Sequence, residues 1–410
     1  MLSIHSSPIG KLGTKDTGGM SVCIRELARK LGHHGHRVDI YTLLRDGDHR
    51  PMINIDDNVR LIQLGIGKNR YVSKLELYHY LSDFFRSLEH FRITENLDYD
   101  IVHSHYWLSG LLGNWAQKLW RRPHMVMFHT LGAAKNSTGV GMPEPGRRIS
   151  VERKIVQSCH RILAPTERER ERLMTYYAAP YEKIGIVPCG VDLDLFFPIE
   201  KRTARKKLGF DPEDRILLYV GRFDPLKGLN RLLEALAYLK NHHRLRLLII
   251  GGDGNGAPES RQLRQTAVDL GIEDKVVFVG RIEQEHLPPY YASADALVIP
   301  SHYESFGLVG LEALACGIPV ISTPVGAMVS LLRQNKIGQL VSDTSPRSLA
   351  KGIESIISDL TLFSADRIRE SVLEYSWSTV ASAILEEYES ILQQQNASDE
   401  SVSYAGAAVH

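Results

Sequence analysis

The chain has 410 residues, a net charge of +1, 43% hydrophobic residues, 24% charged residues and four cysteines. That length suits two domains of ordinary size, and the near-neutral charge argues against a nucleic-acid or membrane-surface partner. No apolar run reaches bilayer length, the N-terminus lacks the basic and apolar regions of a signal peptide, and Cys23, Cys159, Cys189 and Cys316 form no C-x-x-C pair. A cytoplasmic protein with reduced thiols, no transmembrane segment and no metal site is expected.

In chain order, "MLSIH" (1–5) reads as a short strand, leaving either a start further upstream or a thin sheet edge. "GKLGTKDTGGMSVCIREL" (10–27) is a glycine loop running into a helix, with Met20, Ile24, Leu27, Ala28 and Leu31 at helical spacing. Gly32 and Gly35 are expected to end that helix. The loop's amides would point at an anion, although it is neither G-x-G-x-x-G nor a P-loop, and a tight turn would look the same. "HRVDIYTL" (36–43), "YDIVHSHY" (99–106) and "PHMVMFHT" (123–130) read as strands separated by helical patterns. His103, His105, Tyr106 and His129 fall at strand ends, as core or as site residues.

The alternation restarts near residue 215. "RILLYVGR" (215–222), "LRLLIIGGDG" (245–254), "KVVFVGR" (275–281), "ALVIP" (296–300) and "IPVIS" (318–322) are apolar runs, each followed by a helical stretch. These read as the doubly buried strands of a second parallel sheet. The join falls in "PCGVDLDLFFPIEKRTARKKLG" (188–209), so two Rossmann-like domains are expected, 1–195 and 196–377, with ligands in the cleft between their strand ends. A helix at 378–395 is expected to complete the first domain, and the polar tail 396–410 to be disordered.

Three stretches carry the chemistry. "VGRFDPLKG" (220–228) sets Arg222 and Lys227 just after a strand, where a fork and a point charge suit a diphosphate; two solvated surface cations are the plainer alternative. In "YESFGLVGLE" (303–312), Ser305, Phe306 and Gly307 would turn the chain into a helix whose first amides cap a phosphate. Glu304 and Glu312 lie eight positions apart, about two turns at ~3.6 residues per turn, and could reach opposite ends of an extended ligand. Glu304 could equally be an acid favouring a helix dipole, whereas an unpaired charge at Glu312, inside "GLVGLEALACGIP", would be costly.

Together "DTGGM", "PCGVDLDLF", "VGRFDPLKG" and "ESFGLVGLE" resemble the retaining GT-B glycosyltransferases of the glycosyltransferase 4 group, over nearly the whole chain. "HSHYWLSG", "HTLGAAKN" and "PEPGRRI" look like the D-inositol-3-phosphate glycosyltransferases within it, with sucrose-phosphate synthases as near relatives. The resemblance implies an α/β GT-B fold, two Rossmann-like domains facing across a cleft. It implies a UDP-sugar donor, a small phosphorylated acceptor and no required cofactor. Arg222 and Lys227 would hold the diphosphate, with Gly19 against it, Arg281 and Ile282 beside the base, and Glu312 on the ribose. Glu304 would hold the sugar hydroxyls, with the Phe306, Gly307 and Leu308 amides nearby and His129 at the reaction centre. Lys74, Tyr106, Thr130 and Arg147 would surround the acceptor phosphate, with His5, Asp16, Met20 and Ser21 on the inositol side. Ser21 stands where the family usually has Asn, and Cys189 where Pro is usual.

Transfer is then expected with retention, by front-face attack, the leaving diphosphate stabilised by Arg222, Lys227 and two helix N-termini. A retaining double displacement would need a second carboxylate opposite Glu304, and the first domain's motifs supply none. A sugar-nucleotide epimerase of the same fold and a non-catalytic nucleotide-sugar-binding scaffold are the competing classes. A homodimer is left open.

Overall fold

The computed structural model describes every residue except 11, 14–16, 45–49, 68–71, 240, 253–256 and 408–410; for residues 335 and 398–407 it describes backbone alone. The first unit contains strands Val38–Leu43 (β1), Met52–Asp56 (β2), Val59–Leu64 (β3), Val102–His105 (β4), His124–Met127 (β5), Arg161–Ala164 (β6) and Ile184–Ile186 (β7). β1 pairs with β3 in parallel, β2 with β3 antiparallel, and β4, β5, β6 and β7 follow in parallel. The opening residues join these two sets. Leu2 bridges Tyr41 and Ser104, and its amide donates to His103 O at 2.8 Å. The short first strand is therefore central, not a thin edge: Leu2 and Ile4 are buried, and neighbours on both sides compensate for its length.

The second unit holds Arg215–Val220 (β8), Leu245–Ile250 (β9), Val276–Gly280 (β10), Ala296–Ile299 (β11), Val320–Ser322 (β12) and Gly338–Leu340 (β13). They form one sheet in the order β10-β9-β8-β11-β12-β13, parallel throughout. Leu217, Leu218, Leu247, Leu248 and Leu297 are fully buried because helices cover both faces. Strand order reverses between β8 and β11, which opens a crevice at their carboxyl ends. The first sheet has the matching reversal between the opening strand and β4.

The helix Gly19–His33 runs through Gly32, whose missing Cβ would lie 2.8 Å from Val59; close packing, not termination, requires that glycine. The chain crosses between the units at two adjacent points, Val191 and Ser376, which form a bridge. The final helix, Trp377–Ala407, packs back on the first unit: Glu387 takes both Arg161 Nε (2.6 Å) and Nη2 (3.0 Å), and the Tyr388 hydroxyl lies 2.8 Å from His103 Nδ1. It continues through the stretch from 396 that composition marks as disordered.

Candidate active site

Two switch points face one cavity of about 360 Å³. On the second unit, β8 leads through Arg222 into a short turn at Pro225–Lys227 that Asp224 caps, accepting from Leu226 N at 2.9 Å. β11 leads through Ser301 to Glu304. Lys227 Nζ donates to both Glu304 oxygens, at 2.7 and 2.8 Å, and the Ser301 hydroxyl adds a third bond at 2.8 Å. Glu304 is thus pinned by a cation from the neighbouring strand's loop rather than serving as a free helix-dipole acid. Deeper in, Glu312 accepts from Tyr291 at 2.6 Å and Gln284 Nε2 at 3.0 Å. Both donors are neutral, so burial pushes this carboxyl above the usual range despite them.

Gly307, at φ 103°, starts the helix Leu308–Ala315, a backbone state that favours glycine. Across the cleft Gly19 opens its helix so close that a Cβ there would stand 3.0 Å from Leu308 Cδ1. Two helix N-termini, partial positive charges with unsatisfied amides, thereby converge on the cavity.

The first unit's wall is built differently. The His5 and Tyr106 rings meet at 4.3 Å at the switch point. Tyr106 (φ 78°) and His129 (φ 58°) both hold left-handed backbone that costs of order ~1–3 kcal/mol and clusters at functional sites. His129 Nε2 sits 2.9 Å from His105 Nδ1, and burial lowers the His129 pKa to about 3, so it is neutral at ordinary pH. Arg148, fully buried, fastens the next residue, donating to Thr130 O (2.7 Å) and Thr130 Oγ1 (3.0 Å). It also reaches the Tyr106 hydroxyl at 3.0 Å and pairs with Glu152 at 2.7 Å. Lys74 and Lys135 line the cavity, Lys135 paired with Glu144.

All ten residues assigned to the donor line this cavity: Gly19, Arg222, Lys227, Arg281, Ile282, Glu304, Phe306, Gly307, Leu308 and Glu312. So do His129, His5, Met20, Lys74, Tyr106 and Thr130. Two residues assigned to the acceptor lie outside the cavity lining. Ser21 is fully buried, its hydroxyl 2.7 Å from that of Ser6, which does line the cavity. Arg147 is exposed, lies over the Tyr78 ring at 5.0 Å and approaches His79 Nε2 at 3.2 Å, outside the cavity lining. Asp16 lies outside the described residues. Sequence reasoning missed Lys135, Gln284 and Tyr303, which line the cavity, and Arg148, which braces it. Lys135, Tyr303 and Arg148 were within reach, in "HTLGAAKN", "YESFGLVGLE" and "PEPGRRI" themselves; Gln284 carries no motif signal. Among the described residues no group of His, Cys, Asp and Glu could hold a metal ion, and no helix is long and apolar enough to cross a membrane.

The family model for Glycosyltransferase Family 4 matches residues 17–195, and that for Glycosyl transferases group 1 matches residues 200–371. A D-inositol 3-phosphate glycosyltransferase of Geodermatophilus obscurus is 36% identical over 97% of this chain and 90% of its own length. A second, from Catenulispora acidiphila, is 36% identical over 95% of this chain and 93% of its own. Among solved structures, a sucrose-phosphate synthase from Thermosynechococcus elongatus superposes with a TM-score of 0.88 at 28% identity, covering 96% of this chain and 98% of that one. An Anabaena protein solved with UDP and glucose shares the fold, with a TM-score of 0.74 at 18% identity over 95% of this chain and 100% of that one.

Proposed function

The chain belongs to the family 4 glycosyltransferases, and from that premise we propose that it moves a hexose or N-acetylhexosamine from a UDP-sugar to a hydroxyl of a phosphorylated polyol, inositol phosphate-like, in the cytoplasm. The observation that carries this is the Lys227–Glu304 pair, set beside Arg222 between the two helix N-termini.

A nucleoside diphosphate leaving group gains charge as the sugar departs. Arg222, Lys227 and the amides at Gly19 and Gly307–Leu308 line the same cavity and would stabilise that charge. Glu304 takes the sugar hydroxyls, and Lys227 passes between it and the phosphate. Glu312, Arg281 and Ile282 hold the nucleoside. With that charge supplied by side chains and backbone, we propose transfer without a resident cofactor, so EDTA should leave the rate unchanged. Among the described cavity residues the carboxylates are Asp224, Glu304 and Glu312, all on the second unit. Among the described lining residues no first-unit carboxylate stands across the cavity to act as the nucleophile of a double displacement. This supports retention by front-face attack, the acceptor hydroxyl passing its proton to the departing phosphate. Lys74, Lys135, Tyr106 and Thr130 are the groups we assign to the acceptor phosphate.

The test is UDP release from UDP-glucose and from UDP-N-acetylglucosamine, each with inositol phosphate or fructose 6-phosphate, followed by NMR of the product's anomeric proton. Release with inositol phosphate and an α product supports the reading. Release only with fructose 6-phosphate moves it to the sucrose-phosphate side, the alternative that the 0.88 TM-score favours. An inverted product overturns the mechanism, and free sugar-nucleotide interconversion or tight donor binding without turnover overturns the transferase.

A further inference from the structure

We propose that Tyr303 is a positioning residue that ties closure of the cleft to the placement of Glu304 and of the loop after His129. The inference rests on the glycosyltransferase reading above and adds a residue to it. Tyr303 belongs to the second unit, in the loop after β11, immediately before Glu304. Its hydrogen bonds go to the other unit. The hydroxyl donates to Glu169 Oε1 at 2.8 Å and accepts from Leu131 N at 3.1 Å. Arg172 lies over its ring at 4.7 Å, pairs with Glu169 at 2.9 Å and reaches the Glu304 carbonyl at 3.5 Å.

These contacts join two places that transfer needs together. Leu131 stands two residues after His129, and Glu304 is the chain neighbour of Tyr303 itself. The loop at 129–132 is held on its own side by Arg148 at Thr130 and by Glu152 at Gly132 N (3.0 Å). Tyr303 supplies a further tie at Leu131, and it comes from across the cleft. The units are linked covalently only at the adjacent crossings near Val191 and Ser376, which leave rotation about that line open. Tyr303 and Glu169 are 4% and 3% exposed, so opening the cleft would strip a buried carboxylate of one of its two partners and hydrate the other. The latch therefore favours the closed state and, when made, sets Glu304 and His129 in register.

Tyr303→Phe in the full chain keeps the ring and removes the hydroxyl. We expect UDP affinity within about twofold of wild type, since Arg222, Lys227, Arg281 and Glu312 are untouched, and turnover lower by on the order of 10-fold with donor KM little changed. Glu169→Gln keeps an acceptor oxygen and should lose less than Glu169→Ala. Small-angle scattering with saturating UDP should show a larger radius of gyration for Tyr303→Phe than for wild type. Wild-type turnover and compaction in Tyr303→Phe would overturn the proposal. So would equal losses in turnover, UDP affinity and melting temperature, which mark general structural damage. The scattering comparison needs no acceptor: a wrong acceptor would silence turnover in wild type and variant alike and leave this test standing.

Discussion

The two walls of the cavity solve different problems. The second unit's wall is made of loops that leave neighbouring parallel strands, and its charged groups face the cavity in simple pairs, Lys227 with Glu304 and Arg222 with Asp224 at 3.7 Å. The first unit's wall is held from behind. Two residues sit in left-handed backbone, and a fully buried arginine ties Thr130, Tyr106, Glu144 and Glu152 into one cluster. The donor side is thus placed by topology and the acceptor side by a buried polar network. Disturbing the first should damage chemistry in a folded protein. Disturbing the second should damage the fold before the chemistry can be read.

The largest expected effect tests the second half of that contrast. Arg148→Ala leaves Glu152 without its cation in a site with no exposure, and breaking such a pair typically costs ~3–5 kcal/mol. Urea or thermal unfolding should show it, with turnover falling along with folded population. Near-normal stability would mean that Tyr177, which also bonds Glu152, suffices to satisfy it.

Lys227→Ala tests the first half. Removing one preorganised charge from a developing anion costs ~100- to 1,000-fold in kcat. Because Lys227 is partly exposed, its pair with Glu304 should contribute only ~1 kcal/mol or less to stability. A folded, inactive variant is the expected result. Normal turnover would remove the diphosphate assignment.

Glu312→Gln sharpens the contrast through pH. Burial holds the folded pKa of Glu312 above the ordinary carboxyl value. Across that window the native state keeps a proton that the unfolded chain has lost, so wild-type stability declines as pH rises through it. The glutamine variant lacks this linkage, and its melting temperature should gain on wild type as pH rises above the ordinary carboxyl range, while UDP affinity drops. A parallel pair of melting profiles would show that Glu312 is not proton-linked. Buried, neutral His129 (pKa about 3) adds the opposite slope, since the unfolded chain takes up a proton there as pH falls, but it does so in both proteins and drops out of the difference.

The same contrast explains what was legible in the sequence. Seven of the ten donor residues fall in two continuous stretches, 220–228 and 303–312, where strand, turn glycine and helix start follow one another, so local order alone points them into one crevice. Arg281 and Ile282 directly follow a third strand of that sheet, Gly19 opens a helix of the other unit, and all reach the cavity. The acceptor residues come from separate loops whose direction depends on tertiary contacts. Ser21 sits one residue from a lining methionine, yet it is fully buried behind the lining Ser6, which holds its hydroxyl. Arg147 and Arg148 are adjacent, and only packing decides which enters. Gly32 reads as a stop until Val59 is seen against it, and whether the opening strand is a thin sheet edge is decided only by β1 and β4 on both sides of it.

The smallest expected effect is the most discriminating for the acceptor. Arg147 and the pair Lys74 and Lys135 are rival phosphate holders. Arg147 is exposed and already stacked on Tyr78, and a solvated cation of that kind contributes little, so Arg147→Ala should change acceptor KM within about twofold. Lys135 faces the cavity with its charge shared by one carboxylate, and Glu144 is in turn shared with Arg148 at 2.9 Å, leaving Lys135 able to engage an anion. Lys74→Ala and Lys135→Ala should each raise acceptor KM by about tenfold, a typical value for a lost charge-assisted bond, with donor KM unmoved. If Arg147→Ala alone raises it, the phosphate lies at the outer rim over Tyr78, and the cavity floor between Tyr106 and Thr130 holds the polyol instead.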